Sequence, residues 1–521
     1  MDNLLTNSKK DVSKIIVLLL SIFGILLVAT SMLLWLVEVA EVIAFVTVSN
    51  QLNSIQINKL QLLINEFSLS KLKFACSLFT ILYLCMLVFY KRVSILLAQF
   101  LSTFFFKTGA IFKGFSNSCR IIITLIISFK IFLLFYTPLQ LDELFSYLFI
   151  SSKGLAVSIL YYPGPNNHIA YNVFVALLLK LNLPVIVATR TPSLLADICI
   201  LLVLFHLVKN YINHNKLAFL IFVASFSTSY LPYSILGRGY ALQSLFSLIA
   251  VIAVFKYQED KRFFTILLII VNALGFWVLP THLFAFVPTM LMFVILHKNI
   301  FHSVKVTLLV LGTTLLLYFP TFAINGVNAI INNSWVKGLS AAAFNAKLPV
   351  FLLNYLKTIV GFESNIFTLL LLIGMITMLL IKNQKKEIIT ITCFVLTPII
   401  ILSLQHVIPF LRVFIFANLL FTTVVLLYLI QKKHLYIMVI FATVQLYLAT
   451  IFTLQIVHRH NHSNENYKQL SKQLVAFNSK NIKHIAVKDE LLAYQMELLN
   501  REQHFNLIIK WNQDQQYGIQ Y

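Results

Sequence analysis

The amino-acid sequence predicts an all-helical protein that crosses a membrane many times. Three observations carry this prediction: 59% of the 521 residues are hydrophobic, 11% are charged, and the mean hydropathy is +0.87. One soluble core could not bury so much apolar surface, so repeated membrane spans are expected. The five cysteines form no CxxC pair and lie in or beside apolar segments, which indicates neither a disulfide framework nor a zinc site.

Apolar segments long enough to cross roughly 30 Å of hydrocarbon occur about thirteen times along the chain. The predicted crossings are residues 15–37, 72–90, 121–137, 191–208, 217–232, 238–255, 263–279, 282–297, 304–322, 366–381, 387–404, 411–430 and 434–454. Two shorter apolar stretches, residues 93–106 and 169–183, are predicted to be helices that lie at the membrane interface.

Basic residues predict the orientation of these spans. The 40 Lys and Arg residues outnumber the 18 Asp and Glu residues, for a net charge of +22, and they lie in small groups between apolar segments. Such groups are typical of membrane topology and not of a nucleic-acid-binding face. With Lys9, Lys10 and Lys14 in the cytoplasm, roughly twice as many basic residues fall on the cytoplasmic side as on the other. This bias predicts a cytoplasmic N-terminus and an extracytoplasmic C-terminus.

Polar residues that could take part in chemistry gather at the outer ends of the spans. They are Asp142, Glu143, Asn166, Asn167, His168, Arg190, Arg238, His282, His406 and Arg412. Headgroups and water would explain one such residue, but the whole set on one side predicts an outward-facing cavity. A carboxylate in a partly apolar pocket can have a raised pKa and accept a proton from a hydroxyl or amine. Guanidinium groups match phosphate oxygens, so Arg190, Arg238 and Arg412 are predicted to hold a lipid phosphate.

Several short stretches resemble one enzyme family. In chain order they are "DE", "PNNHIAYN", "TRTPSLLAD", "LGRGYALQ" and "LPTHLFAF" within residues 141–288, followed by "VIPFLRVFIF" around Arg412. Together they resemble the GT-C superfamily of polyprenyl-phosphate-sugar-dependent glycosyltransferases, near the bacterial relatives of protein O-mannosyltransferases and aminoarabinose transferases. This resemblance implies a GT-C-like fold in the bacterial cytoplasmic (inner) membrane, with an extracytoplasmic active site.

The resemblance also implies roles for individual residues. Asp142 is implied as the general base, and Glu143 as a neighbour that orients or binds the acceptor. The residues predicted to bind the donor phosphate or sugar are His168, Asn167, Arg190, Arg238, Tyr240, His282 and Arg412. Two features depart from the family pattern. No second acid occurs between residues 144 and 190, and Ile169 and Ala170 stand where the family has Pro-Pro.

Three functions follow from these observations. The leading prediction is an inverting glycosyltransferase that moves a sugar from a polyprenyl-phosphate donor to an extracytoplasmic glycan, lipid or protein. A transporter or flippase for lipid-linked phosphate substrates is the first alternative. Such proteins need charged residues near the bilayer midplane, whereas the basic residues of the predicted cavity cluster at one end of the spans. A catalytically silent binder is the second, because the second acid is missing. No metal ligand or cofactor is indicated, and a divalent metal stays open. The expected partners are the donor, membrane lipid and an unknown acceptor.

Two regions are predicted along the chain. Residues 1–454 form the membrane domain, with a catalytic outer loop at about 138–190, and residues 455–521 form a small extracytoplasmic tail. Apolar spacing in the tail predicts strand, helix, strand. His458, His460 and His462 alternate in "HRHNHSNEN" and are expected in an extended, solvated linker and not in a metal site. Residues 323–365 are predicted to be a loop long enough to cap the cavity.

Overall fold

Most of the described chain is helical. The computed structural model describes residues 66–88, 117–208, 214–227, 229–331, 338–361, 385–431, 435–480, 484–487, 489–503 and 508–511, with scattered positions elsewhere. The predicted crossings at 15–37 and 366–381 and the predicted interface helix at 93–106 lie partly outside these residues.

Seventeen described helices precede the C-terminal strands. In chain order they are α1 (Glu66–Val88), α2 (Asn117–Tyr136), α3 (Leu141–Phe149), α4 (Leu155–Leu160), α5 (Ile169–Leu179), α6 (Val185–Val208), α7 (His214–Ser225), α8 (Leu231–Ile235), α9 (Tyr240–Phe255), α10 (Lys261–Val278), α11 (Leu283–His297), α12 (Ile300–Asn325), α13 (Asn328–Ile331), α14 (Ala341–Val360), α15 (Lys385–Gln405), α16 (Ile415–Gln431) and α17 (Leu435–Ser479). Short 3₁₀ turns lie at Ser151–Lys153, Pro280–His282 and Leu411–Phe414.

Eight helices within the described residues are long and apolar enough to cross a membrane. They cover Cys119–Tyr136, Val185–Phe205, Lys261–Val278, Pro280–His297, Ile300–Asn325, Lys385–Gln405, Leu411–Leu429 and Val439–Ser479. A helix satisfies its backbone hydrogen bonds internally, as a hydrocarbon environment demands. The chain is therefore a helical, multi-pass membrane protein, which confirms the class that its composition predicts.

Helix α9 lies inside the helix bundle, in contact with α6, α10, α11 and α16. Small buried side chains recur at every third position along it: Ala241, Ser244, Ser247, Ala250 and Ala253. Small residues allow helix backbones to approach closely, and close packing is a main source of helix association in lipid. This packing fixes the position of the segment that immediately precedes α9 in the chain.

The helices α3, α4 and α5 form a small unit between the spans α2 and α6. Helix α3 begins after Pro138, and the backbone N–H of Gln140 donates to Glu143 Oε2 at 3.0 Å, which caps the first turn. Helix α5 spans Ile169–Leu179 and packs against α6. It lies within the stretch 169–183, so the helix predicted there is confirmed.

Helix α17 continues far beyond the predicted end of the last span. Its 45 residues pass through the predicted domain boundary at residue 454, and at 1.5 Å per residue it is about 68 Å long. His458, His460 and His462 lie on this helix and not in the extended linker that their alternation predicts. No Gly or Pro interrupts the helix, so nothing in its sequence stops it at the membrane surface.

The predicted loop at residues 323–365 contains the 20-residue helix α14. Ser340 caps its start by accepting a hydrogen bond from the backbone N–H of Ala343 at 3.3 Å. Gly361, with φ of 82°, ends it in the left-handed conformation that favours glycine. A start signal and a stop signal at these positions are therefore the sequence evidence that a loop prediction overlooks.

A small α/β unit follows α17. Strands β1 (His484–Val487) and β2 (Ile508–Trp511) pair in parallel, and α18 (Glu490–Glu502) makes the crossover between them. This order confirms the predicted strand, helix, strand. The core of the unit is formed by Leu470, Leu474, Val487, Ala493, Met496, Leu499, Leu507 and Ile509. The end of α17 therefore belongs to the same unit.

Candidate functional site

Asp142, in the first turn of α3, lies between two arginines from distant parts of the chain. Arg412 Nη1 donates to Asp142 Oδ2 at 2.7 Å, and Arg238 Nη2 lies 3.7 Å from the same oxygen. Arg238 Nη1 also donates to the carbonyl oxygen of Asp142 at 3.3 Å and to Ser146 Oγ at 3.4 Å. The Asp142 side chain is 24% exposed and that of Arg238 is 5% exposed. One partly accessible carboxylate thus faces two positive charges.

The turn before α5 forms another side of this site. Asn166 Oδ1 accepts from Arg238 Nη2 at 3.1 Å, and the Asn166 side chain also hydrogen-bonds to Asp142. His168 Nδ1 accepts from the backbone N–H of Gly239 at 2.8 Å, so the proton of the neutral ring is assigned to Nε2. That nitrogen lies 3.2 Å from Arg238 Nη2. Two N–H donors therefore meet here, an arrangement that suits the oxygen of an anion.

Tyr240, the first residue of α9, lies against both arginines. The guanidinium carbons of Arg238 and Arg412 are each 6.0 Å from the centre of its ring, within reach of a cation–π interaction. The rings of His168 and Tyr233 meet Tyr240 edge-on, at 5.3 Å and 5.2 Å between centroids. The aromatic ring therefore helps to hold two like charges close together.

Each of the two arginines keeps a buried N–H group that has no partner in the part of the chain that the structure describes. Nε of Arg238 and Nε of Arg412 have no hydrogen-bond partner among the described residues. An unpaired buried donor costs on the order of 1–3 kcal/mol, which an incoming acceptor would recover. Phosphate oxygens match the guanidinium geometry. We call Asp142, Asn166, His168, Arg238, Tyr240 and Arg412 the Asp142 cluster, and its donors suit a phosphate group.

Opposing effects act on the pKa of Asp142. Burial raises it, but the charges of Arg238 and Arg412 and hydrogen bonds from Asn166 and Arg412 lower it more, so the pKa lies below the ordinary value of 3.8. This direction is opposite to the raised pKa that the sequence predicts for a carboxylate in a partly apolar pocket. Asp142 is therefore ionised at neutral pH. An anion that drew the arginines away would raise its pKa and make it a stronger base.

His168 depends on the close approach of a glycine. Burial, together with the charges of Arg238 and Arg412, holds the pKa of His168 well below 6.5, so its ring is neutral at neutral pH. A neutral ring is what the hydrogen bond from Gly239 requires. A Cβ atom at residue 239 would lie 3.0 Å from His168 Nδ1 and 2.6 Å from Val278 Cγ1. Only glycine brings this backbone N–H within reach of the histidine.

Glu143 and Arg190 form a buried ion pair next to the cluster. Arg190 Nε and Nη2 donate to the two carboxylate oxygens of Glu143, each at 2.8 Å. The remaining guanidinium N–H groups donate to the carbonyl oxygens of Leu134, Thr137 and Pro138. Glu143 also accepts from the backbone N–H groups of Gln140 and Gly237.

This pairing differs from the phosphate-binding role predicted for Arg190. All five of its guanidinium N–H groups bond to protein atoms and its side chain is 0% exposed, so it has no donor left for a phosphate oxygen. The Glu143 carboxylate, 1% exposed, is likewise filled by protein donors. The pair ties α3 to the end of α2, to α6 and to the turn that precedes α9.

Asn167 lies inside the small unit formed by α3, α4 and α5 and not in the Asp142 cluster. Its Nδ2 donates to the carbonyl oxygens of Ser158 and Tyr161, at 3.1 Å and 2.6 Å. These bonds hold the turn that presents Asn166 and His168. Of the two adjacent asparagines, Asn166 is therefore the one that contacts the predicted site residues.

His282 is fully buried in the 3₁₀ turn between α10 and α11. Its Nε2 lies 3.1 Å from Asn272 Oδ1, and its ring meets Phe276 edge-on at 5.4 Å. Its Nδ1 has no hydrogen-bond partner among the described residues. The hydrogen bonds and ring contacts of His282 are thus made within the helix bundle and not with the Asp142 cluster.

Asp197, the nearest acid after the outer loop, forms a separate buried group. Lys130 Nζ donates to Asp197 Oδ2 at 2.7 Å, and Tyr230 OH donates to Oδ1 at 2.9 Å. All three residues are buried, and Lys130 also lies 5.5 Å from the centre of the Tyr230 ring. This charge pair joins the spans α2 and α6.

Two residues of the site escape sequence reasoning. Ser146 follows Asp142 by four residues on α3, and this same-face spacing could have indicated it. Tyr233 contacts Tyr240, but it precedes the "GRGY" stretch in a short helix and carries no signal of its own.

No model of a known protein family matches the chain, and no curated protein sequence matches it. Among the described residues, no group of three or more His, Cys, Asp or Glu side chains could hold a metal ion. The fold defines a helical multi-pass membrane protein, and the Asp142 cluster is its candidate site.

Proposed function

We propose that the protein is an integral-membrane glycosyltransferase of the GT-C type whose donor is a polyprenyl-phosphate sugar. The observation that carries the proposal is an ionised carboxylate, Asp142, between two arginines whose Nε–H groups are buried without partners among the described residues. The sequence stretches around these residues support it by their resemblance to that superfamily. About thirteen crossings, a cytoplasmic N-terminus and an extracytoplasmic site in a bacterial cytoplasmic membrane belong to the same proposal.

In the proposed complex the donor phosphate binds between Arg238 and Arg412, with Nε2–H of His168 as a further donor. The charges of Asp142 and the two arginines add up to one positive charge, which balances the single negative charge of a phosphodiester. The phosphate oxygens would accept hydrogen bonds from the two Nε–H groups that lack partners among the described residues. Charge and hydrogen-bonding capacity therefore match the same ligand.

Transfer proceeds as one displacement at the anomeric carbon. The oxygen or nitrogen of the acceptor forms a bond to this carbon, and the bond from carbon to phosphate oxygen breaks, with its electron pair staying on the phosphate. The arginines stabilise the negative charge that develops there. The acceptor proton passes to Asp142, whose pKa rises when the phosphate engages the arginines. A single displacement inverts the configuration of the sugar.

Glu143 and Arg190 have a positioning role in this proposal. Their buried pair fixes the start of α3, on which Asp142 lies, relative to the turn that carries Arg238. Removing either partner would move the cluster without removing one of its members.

The test is binding and slow hydrolysis of a panel of radiolabelled polyprenyl-phosphate sugars by detergent-purified protein. We expect Asp142→Asn to bind the donor and to release sugar at least about 100-fold more slowly than the wild type. We expect Arg238→Ala to bind the donor about 10- to 100-fold more weakly. The matched control is Arg262→Ala, because Arg262 is exposed on another part of the chain. Sugar release by Asp142→Asn at the wild-type rate would contradict the proposal.

A transporter or flippase for lipid-linked phosphate is the second candidate, and the buried pair of Lys130 and Asp197 favours it. Both side chains are 0% exposed within membrane spans, where ionisable residues often serve transport. Translocation of a fluorescent polyprenyl phosphate in liposomes, without sugar release and lost in Asp197→Asn, would support this candidate. Sugar release that depends on Asp142 would exclude it.

A further inference from the structure

Helix α18 of the C-terminal unit packs on α3, the helix that carries Asp142. The Tyr494 ring lies 6.3 Å from the ring of Phe145 and 5.4 Å from that of Phe149. About two turns further along α18, Arg501 Nη1 donates to the carbonyl oxygen of Leu148 at 3.3 Å and to Ser152 Oγ, beyond the end of α3, at 3.5 Å. At the other end of the contact, the charge of Asp142 acts on Glu490. The two helices run in the same direction, and their first turns come together.

The contact between the two helices is an apolar one that excludes water. Leu144, Leu148, Tyr494 and Leu498 form a buried cluster at its centre. Since α18 is also part of the core of the C-terminal unit, these four residues hold the whole C-terminal unit on α3. The position of the first turn of α18 is therefore set by packing on both of its sides.

Glu490 occupies the first turn of α18, as Asp142 occupies the first turn of α3. The hydroxyl of Tyr494 donates to Glu490 Oε1 at 2.9 Å, and the buried Tyr494 ring thereby fixes the direction of the carboxyl group. Glu490 is partly buried. The parallel packing of the helices brings its carboxylate to the same end of the contact as that of Asp142.

The charges around the two carboxyl groups separate their pKa values. Burial raises the pKa of Glu490, the hydrogen bond from Tyr494 lowers it, and the charges of Asp142 and Asp489 raise it further, with a net rise above 4.5. Among the described residues, these are the charged and titratable groups of α3, of α18 and of its N-cap that act on Glu490. The arginines lower the pKa of Asp142. Two neighbouring carboxyl groups with opposite shifts commonly have different tasks.

We propose that Glu490 completes the transferase site from the C-terminal unit, where its carboxylate and that of Asp142 share the proton of the acceptor's hydroxyl or amine in a three-centre hydrogen bond before the proton passes to Asp142. This inference rests on the proposed function. The donor phosphate binds on the arginine side of Asp142, and the acceptor binds on the Glu490 side. Glu490 contacts and orients the acceptor, and the acceptor proton passes to Asp142. It provides a second acid, which residues 144–190 lack.

The same arrangement restricts the acceptor. Carboxylates flank the acceptor side, and Asp489 adds a further negative charge to this end of α18. A phosphate or carboxylate next to the reacting group would be repelled by these charges. The acceptor group is therefore an uncharged hydroxyl or an amine without a neighbouring anion.

The experiment uses the full chain with water and methanol as the simplest acceptors, which give free sugar and methyl glycoside from the radiolabelled donor. We expect Glu490→Gln to lower both rates about tenfold or more and to leave the Kd of the donor within about twofold of the wild type. The wild-type rate should fall as the pH drops through the raised pKa of Glu490, and Glu490→Gln should lose this acid limb. Glu490→Asp keeps the charge and should retain it.

The control is Glu497→Gln, the same chemical change on the same helix, where Glu497 pairs with Arg501. It should leave the rates and the pH profile unchanged. Wild-type rates and an unchanged pH profile in Glu490→Gln would overturn the inference and leave the proposed function intact. Loss of donor binding in Glu490→Gln would also overturn it, because the residue would then act on the fold. Absence of turnover by the wild type with every donor would overturn both.

Discussion

The substitution Gly239→Ala perturbs the closest backbone approach in the site. An added Cβ would lie 2.6 Å from Val278 Cγ1 and 3.0 Å from His168 Nδ1, whereas carbon atoms in contact are about 3.5–4.0 Å apart. Val278 is 1% exposed, and a β-branched side chain has little freedom at χ1. The backbone at residue 239 must therefore move away from Val278 by about 1 Å. Overpacking of this kind costs about 1–3 kcal/mol, and the displaced N–H of residue 239 loses its hydrogen bond to His168.

We expect Gly239→Ala to lower the thermal stability of the detergent-solubilised protein and to weaken donor binding about tenfold, equivalent to about 1.4 kcal/mol. Thermal unfolding and equilibrium binding of a radiolabelled polyprenyl-phosphate sugar measure the two effects. Gly164→Ala is the control, because a Cβ there meets nothing within 4 Å. If Gly239→Ala were as stable and bound the donor as tightly as Gly164→Ala, the reasoning about this close approach would be refuted.

Three further predictions concern the buried charges. Glu143→Gln leaves Arg190 buried without its counter-charge and should destabilise the protein by about 3–5 kcal/mol, whereas Asp142→Asn should change thermal stability far less; equal effects would contradict this. Lys130→Met should strongly destabilise the protein, because it leaves the buried Asp197 unpaired, and the double variant Lys130→Met/Asp197→Leu should recover most of the lost stability. A thermal double-mutant cycle measures this coupling, and additive effects of the two substitutions would contradict a paired role. Because the pKa of Asp142 is lowered in the folded protein, its ion pairs stabilise the protein above the ordinary value of 3.8 and lose this effect as the pH falls through the folded pKa. Asp142→Asn should therefore flatten the acid side of the thermal-stability curve, and parallel curves would exclude this linkage.

Local sequence pattern predicts the fold class and the C-terminal unit. A long apolar segment such as Lys385–Gln405 has one stable form in hydrocarbon, because a helix satisfies its own backbone groups. Alternating apolar residues likewise predict the strand His484–Val487. The histidines at 458, 460 and 462 mislead the same reasoning, because alternation is read as extended chain although the absence of Gly and Pro lets α17 continue.

Part of the site can be predicted, because its residues all lie at the predicted outer ends of spans. Asp142 and Arg412 are 270 positions apart in the chain and yet form an ion pair. The distribution of charged residues cannot tell which of Arg190 and Arg238 is free to bind a phosphate, since both lie at predicted outer ends of spans. What separates them is tertiary: backbone carbonyl groups at the end of α2 occupy Arg190, whereas Arg238 keeps a donor without a partner among the described residues.

The contribution of the C-terminal unit has no local signal. Glu490 is one of several acids in a short amphipathic helix, and its sequence neighbours resemble any solvated helix start. Its approach to Asp142 follows from the parallel packing of α18 on α3, which is visible only in three dimensions. Long-range packing of this kind determines which of the many surface acids lie at a site.

The central claim is that Asp142 and a lipid phosphate compete for Arg238 and Arg412. The most direct test is the equilibrium binding of sugar-free polyprenyl phosphate to the wild type, Asp142→Asn and Arg412→Gln. Asp142→Asn removes the internal anion and should bind the phosphate about tenfold more tightly than the wild type, and Arg412→Gln should bind it about tenfold more weakly. Weaker binding by Asp142→Asn, or wild-type binding by Arg412→Gln, would contradict the claim.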